Sequence, residues 1–232
     1  MDTMTDDAAQ AAEPDPHTGT RLALQSVAEH VLTADLHRHT GKIGLRVTDG
    51  GFGQPEFFTG GARRRLRVDG HWLVVLEGDT ETWHPLTTVA AASEASGVDP
   101  GAPGEVFTPG TPLEPDTPLR LEPGSLQEIA DWFRLTAVAL EGLRRANADR
   151  SPAIVQLWPE HFDVATNMAG VNFGGSPGDD HIAEPYLYVG PWELREGDFW
   201  NESFGATRLA SEVDGPADAL EFFCEGLRRA TE

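Results

Sequence analysis

The chain has 232 residues, 39% of them hydrophobic, which is enough for a core of ordinary density. Its 38 acidic and 17 basic residues give a formal net charge of −21, a field that repels nucleic-acid phosphates and anionic membranes. No stretch approaches the roughly 20 apolar residues of a membrane span, and the N-terminal segment lacks the apolar centre of a signal peptide. We therefore expect a globular, cytoplasmic protein with no nucleic-acid partner and no membrane partner.

The composition changes along the chain and predicts its organisation. Residues 1–18 are rich in Ala, Asp and Pro and are predicted to form a disordered acidic tail. Residues 19–232 are predicted to form a single domain with two halves, 19–98 and 125–232. A Pro-rich crossing, residues 99–124, holds seven of the seventeen prolines and joins the halves. Because it also carries large apolar side chains, we expect an ordered, extended segment that lies on the protein.

The first half begins with apolar residues at helical spacing. They predict a short amphipathic helix that starts near Arg21 and ends before the polar run 35–40. Residues 42–47 alternate as a strand. The Gly-rich segment 50–58 that follows predicts a turn or bulge.

A β-hairpin is predicted next, where Asp69-Gly70 separates RRRLRV from HWLVVLE. Arg63, Arg65 and Arg67 fall on one face of the first of these strands. They allow an anion-binding stripe in an otherwise acidic protein. The favoured interpretation is a solvated face whose arginines pair with nearby carboxylates.

Two capped helices are predicted in the middle of the chain. Thr88 precedes an Ala-rich run that stops at Gly97, the pattern of an N-cap and a C-terminal glycine. Ser125 and Glu128 have the spacing of a capping box at the start of a long helix. The buried face of that helix is expected to include Phe133.

The second half is predicted to contain strands over 153–158, 161–168 and 184–189. A last helix starts at Pro216 and is expected to bury its single cysteine, Cys224. The order helix, strands, helix therefore occurs twice. We predict an α+β fold with largely antiparallel sheets, packed helices and two pseudo-equivalent helix–strands–helix halves.

The candidate site lies within residues 157–200, which hold three of the six Trp, both Tyr and two of the eight His. A strand would place His161 and Asp163 on one face, and the Gly- and Pro-rich loop after it would fold its polar groups back towards them. Aromatic walls are expected from Trp158, Tyr186, Tyr188 and Trp192. The candidate ligand-binding residues are Trp158, His161, Asp163, Asp179, Asp180, His181, Glu184 and Tyr186.

These residues support three alternatives, and the sequence leaves open whether the protein is an enzyme. The leading one is a polar, aromatic-walled pocket for a small molecule, bound through His161, Asp163, Asp180 and Glu184. The second is a metal-dependent hydrolase that uses the same cluster, and the third is a structural or interaction protein without a site. No H-E-x-x-H or C-x-x-C motif is present, so the sequence assigns no reaction, cofactor or metal. The oligomeric state is equally open.

Three segments of this region, LWPEHFD, NFGGSPGDD and EPYLYVGPW, resemble a bacterial, mainly actinobacterial, protein family of unknown function. That family is typified by W-P-H-x-F-D, an S-x-G-D turn and E-P-Y-x-Y-V. The resemblance covers about residues 150–205, and GGFGQPEFF resembles a first-half stretch of the same relatives. Glu160 stands at the histidine position of the first motif, and Asp180-His181 replace an acidic residue followed by glycine. The resemblance therefore does not imply a metal-ligand set that includes position 160 or 181.

Overall fold

The computed structural model describes residues 15–232. Its α-helices are α1 (Pro16–Val27), α2 (Ala34–Thr40), α3 (Val89–Ser96), α4 (Pro123–Ala146) and α5 (Pro216–Thr231). The first six strands are β1 (Arg46–Thr48), β2 (Gly51–Gly53), β3 (Phe57–Thr59), β4 (Ala62–Asp69), β5 (Trp72–Glu77) and β6 (Thr80–Pro85). The remaining five are β7 (Gln156–Trp158), β8 (Asp163–Met168), β9 (Val171–Ser176), β10 (Tyr186–Pro191) and β11 (Ala206–Leu209). The predicted α+β fold, with antiparallel sheets and packed helices, is confirmed.

The strands form two sheets, one from each half of the chain. The first has the order β1-β2-β4-β5-β6, with β3 also paired to β4, and the second has the order β11-β10-β9-β8-β7. The sheets meet where Leu45 and Leu157 exchange two backbone hydrogen bonds of 2.9 and 3.0 Å. Helix α4 packs against strands of both sheets and against α1 and α5. The order helix, strands, helix thus occurs in each half.

The predicted hairpin is confirmed as β4 and β5. Asp69 pairs with Trp72, so the two connecting residues are Gly70 and His71. Gly70 has a φ of 54°, in the left-handed region that favours glycine. The arginine stripe on β4 pairs with carboxylates, as the favoured interpretation expected, in the contacts Arg63–Asp79, Arg65–Glu81 and Arg67–Asp69.

The N-terminal helix differs from its prediction at both ends. Asp15 caps it and it begins at Pro16, so the predicted tail is wrong for its last residues, and the rest of that tail, residues 1–14, lies outside the described residues. The helix also continues through a π-helical turn, Ala28–Thr33, into α2, although the run 35–40 was expected to end it. Asp35 is buried because the Arg64 guanidinium binds its carboxylate at 3.0 Å. A polar residue with a buried partner does not end a helix.

Three further expectations need correction. Helix α4 is capped by Glu122, whose carboxylate accepts from the Ser125 amide at 2.7 Å, so the predicted Ser125–Glu128 capping box is wrong. The Ala-rich helix is confirmed, with Thr88 accepting from the Ala91 amide at 3.0 Å. Cys224 is exposed and not buried, because the buried face of α5 uses its neighbours, Phe222 and Phe223. Strand β9, residues 171–176, is not among the predicted strands, and its Gly174 and Gly175 were expected to lie in the Gly- and Pro-rich loop.

The Pro-rich crossing lies on the protein and contains no helix or strand from residue 99 to 122. The π-helical turn holds it. The buried Glu29 carboxylate accepts hydrogen bonds from the amides of Gly110 (2.7 Å) and Thr111 (3.0 Å). His30 accepts from the Ala102 amide through Nδ1 (3.1 Å), so its Nε2 donates to the Thr111 carbonyl (3.0 Å).

One hydrophobic core contains residues of both halves. At its centre three buried rings meet, Phe52 from β2, Phe133 from α4 and Phe162 from the turn before β8. Their centroids are 5.3 to 6.4 Å apart and the rings meet edge to face, the arrangement that aromatic quadrupoles favour. Within residues 15–232, no helix is long and apolar enough to cross a bilayer.

Candidate functional site

A cavity of about 430 Å³ opens beside the second sheet, a volume within the range of small-molecule sites. Three adjacent strands contribute to it. Its lining comes from the β7–β8 turn, the start of β8, the end of β9, β10 and the loops on either side of β10. The lining residues are His161, Asp163, Ser176, Asp179, Tyr186, Tyr188 and Phe204.

Asp163 is the buried carboxylate of this cavity, and it is only 5% exposed. Its Oδ2 accepts a short hydrogen bond from the Tyr188 hydroxyl, whereas its Oδ1 has no hydrogen-bond partner within the described residues. Burial raises the pKa of Asp163 to about 6, against the opposing effects of the Tyr188 hydrogen bond and the charge of His161. A buried acceptor without a donor costs free energy, so a missing partner is implied at Oδ1.

Tyr188 reaches Asp163 across the sheet because the residue beside it is glycine. Gly174 pairs with Tyr188 between β9 and β10. A Cβ atom at position 174 would lie 2.5 Å from the Tyr188 ring. The ring therefore lies directly over the backbone of Gly174. Burial and the neighbouring Asp163 charge raise the pKa of the Tyr188 hydroxyl. Tyr188 thus stays a neutral donor.

Asp179 and Tyr186 form a second carboxylate–tyrosine pair. Asp179 Oδ1 accepts from the amides of His181 and Ile182, both at 2.7 Å, and its Oδ2 accepts from the Tyr186 hydroxyl at 2.6 Å. Burial raises the pKa of Asp179, but these hydrogen bonds outweigh burial and hold it below its usual value. Asp179 is therefore an ionised, fully bonded carboxylate that shapes its own loop.

The structure brings together half of the eight candidate residues. His161, Asp163, Asp179 and Tyr186 line the cavity. Asp180 is fully exposed, and His181 points to Glu202 at 3.4 Å. Glu184 accepts from the Ser211 amide at 2.8 Å. Trp158 pairs with Asp163 across the β7–β8 hairpin without lining the cavity, so these four lie outside it.

His161 and Asp163 meet for a reason that differs from the predicted one. The expected strand 161–168 begins only at Asp163, and His161 lies in the turn that connects β7 to β8. Between them Phe162 has a φ of 51°, which costs a bulky side chain about 1–3 kcal/mol. Its ring is buried in the phenylalanine cluster, and this packing holds the turn in place.

The sequence prediction missed two lining residues, Ser176 and Phe204. Ser176 ends β9, and its hydroxyl donates to the Gly178 carbonyl at 3.2 Å. The run GGSPG around it has G-x-S-x-G spacing, a signal that could have pointed to it, but β9 leads into a loop where a nucleophile elbow needs a helix. Phe204 lies in a tight turn closed by the Glu202–Gly205 bridge, a turn that was not predicted from the sequence. Of the expected aromatic walls, Tyr186 and Tyr188 line the cavity, whereas Trp192 is 69% exposed outside it.

The polar groups of the cavity are arranged for hydrogen bonding. Within residues 15–232, no group of three or more His, Cys, Asp or Glu side chains is placed to hold a metal ion.

Comparisons with protein-family models, curated proteins and solved structures found no match to this chain. The resemblance to the bacterial family therefore stays a prediction.

Proposed function

We propose that this protein binds a small organic molecule in the cavity between the β7–β8 turn and β10, with Asp163 as its principal polar anchor. The observation that carries the proposal is that Asp163 lines a cavity of ligand size and has a buried oxygen, Oδ1, without a donor among the described residues. A bound molecule with an N–H or O–H group would supply that donor. The two tyrosine rings provide apolar walls, as in other small-molecule sites.

The raised pKa of Asp163 is a second support. Groups whose pKa is shifted by burial and a specific neighbour are concentrated at functional sites. Burial raises the pKa of Asp163 to about 6, and Tyr188, whose hydroxyl donates to its carboxylate, comes from a different strand. Such a carboxyl group binds a polar ligand and can also exchange a proton with it.

A thermal-shift screen of metabolite classes tests the proposal on the wild type and two variants. Asp163→Asn removes the anchor, whereas Asp180→Asn removes the same charge from an exposed residue outside the cavity. A ligand of this cavity should raise the melting temperature of the wild type and of Asp180→Asn but not of Asp163→Asn, since ligand binding stabilises the state that binds.

The stability of the Asp163→Asn variant provides the result that would contradict the proposal. Asp163→Asn should itself melt at the wild-type temperature or higher, because the mutation removes a buried charge. A large loss of stability in Asp163→Asn, with no compound whose binding depends on Asp163, would contradict the proposal. It would favour the alternative of a structural protein without a site.

A further inference from the structure

Each of the three hydroxyl groups that line the cavity already donates a hydrogen bond to another group of the protein. Tyr188 donates to Asp163, Tyr186 donates to Asp179 at 2.6 Å, and Ser176 donates to the Gly178 carbonyl at 3.2 Å. A hydroxyl group has one hydrogen and two lone pairs. These three side chains therefore offer a ligand acceptors only.

The charged side chains that line the cavity also favour a ligand that donates hydrogen bonds. Two lining residues are carboxylic acids, Asp163 and Asp179, and no Lys or Arg is among the lining residues. Arg21 acts on Asp179 from outside the cavity, where its guanidinium lies 3.5 Å from the carboxylate of Asp180. His161 is the one lining side chain with an N–H group to donate, and it is also the lining group whose charge opposes those of the two carboxylates.

The aromatic lining suits a cation as well. Tyr186 and Tyr188 line the cavity with ring centroids 6.4 Å apart, and Phe204 contributes a third ring. Aromatic faces attract ammonium and guanidinium groups through the ring quadrupole. The net charge of −21 also concentrates cations near the protein surface.

We infer that the ligand of this cavity is an organic cation, in which an ammonium or guanidinium group on an apolar body donates to Asp163. The inference rests on the proposed function and names the chemical class of its ligand. The cation supplies the donor that Oδ1 lacks, finds acceptors in the committed hydroxyl groups, and places its apolar body against the tyrosine rings. A carboxylate ligand would meet two carboxylates and few donors.

Three probes of one shape test the inference by calorimetric titration of the full chain. Phenethylammonium, phenethyl alcohol and hydrocinnamate present a cation, a neutral donor and an anion on the same apolar body. We expect phenethylammonium to bind at least about tenfold more tightly than the alcohol, and hydrocinnamate to bind least. Asp163→Asn should remove the tenfold preference, and Asp180→Asn, the matched charge control, should keep it.

A second variant protects the test in case Asp163→Asn does not fold. Asp179→Asn keeps the oxygen that caps the loop but removes the other lining charge, and it should reduce the preference for the cation. If the alcohol or hydrocinnamate binds as tightly as the cation, and Asp163→Asn abolishes that binding, the cavity is a binding site but the inference of a cationic ligand fails. The inference also fails if no probe binds at about 10 mM or if Asp163→Asn binds phenethylammonium normally, and the screen of metabolite classes then decides the proposed function.

Discussion

The two oxygens of Asp163 differ in their surroundings, and the difference makes this residue sensitive to pH. Its folded-state pKa of about 6 exceeds the ordinary aspartate pKa of 3.8. Because the pKa of this acid is raised in the folded state, protonation of Asp163 stabilises the fold. That contribution to the free energy of unfolding is complete below about pH 4 and is lost as the pH rises through about 6. Relative to Asp163→Asn, the wild type should gain about 1.3 kcal/mol between about pH 7 and about pH 5.

Denaturant unfolding of both proteins at these two pH values measures the difference. The remaining acidic and histidine groups titrate in both proteins, so the comparison cancels them. Parallel pH profiles would show that Asp163 titrates at its ordinary value, and that burial does not act on it in the way its surroundings imply.

The sequence predicted the members of the site better than their geometry. His161 and Asp163 were grouped by strand spacing, yet His161 belongs to a turn. The turn is held by the burial of Phe162 between rings of β2 and α4, a contact between residues far apart in the chain. Local spacing contains no information about such a contact, so the pair was predicted for the wrong reason.

Strand β9 makes the tyrosine arrangement possible. Gly174→Ala should destabilise the fold by about 1–3 kcal/mol, because the new methyl group collides with the Tyr188 ring and a packed interior yields at that cost. Gly190→Ala is the matched control on β10, where a Cβ atom would find its nearest neighbour, the Phe204 carbonyl, at 3.5 Å. Denaturant unfolding should show little change in stability for Gly190→Ala. An equal loss of stability in both variants would contradict the explanation that the added methyl group collides with the Tyr188 ring.

The same glycines explain why β9 was missing from the sequence prediction. Gly174 and Gly175 were assigned to a loop because glycine is depleted in strands. In the structure they face Tyr188 and Thr136, which fill the space that side chains would occupy. A glycine that admits a neighbouring ring cannot be told from a glycine that makes a turn unless the partner strand is known.

The Pro-rich crossing depends on Glu29 in the π-helical turn. Its carboxylate accepts from two amides of the crossing, from the Thr111 hydroxyl and from Gln25. Glu29→Gln should cost about 2–4 kcal/mol, since it removes charge-assisted hydrogen bonds and places an amide donor among donors. Hydrogen exchange should quicken at the Gly110 and Thr111 amides.

The control for this change lies on the crossing itself. Glu114 accepts from the Thr117 hydroxyl at 3.1 Å and is exposed. Glu114→Gln should leave the exchange of both amides unchanged. Equal exchange in the two variants would mean that the crossing is held by its apolar contacts and not by the buried carboxylate.

The sequence predicted the order of the helices and strands but not how the two halves of the chain join. Hairpins and caps are local, so Asp69-Gly70 and Thr88 were sufficient to predict them. The Leu45–Leu157 bridge and the buried Asp35–Arg64 pair connect residues that are distant in the chain. Burial of Asp35 also explains why the helix does not end at the start of the polar run 35–40.

The division into two halves makes a last prediction about folding. Phe133 is fully buried and contacts Phe52 of the first half and Phe162 of the second. Phe133→Ala should cost about 3–5 kcal/mol, because it leaves a cavity in a packed core. If residues 19–232 form the single domain predicted from the sequence, that loss should lower hydrogen-exchange protection in both sheets by the same free energy.

Val138→Ala on the same helix is the control, since Val138 is 54% exposed and should change stability by less than about 0.5 kcal/mol. Hydrogen exchange of β4 and β9 reports on the central strands of the two sheets separately. Loss of protection in one sheet only would show that the halves unfold independently and that the phenylalanine cluster does not couple them. Equal loss would mean that the cavity on the second sheet depends for its stability on packing in the first half, because the buried Phe162 lies in the chain between His161 and Asp163, which line the cavity.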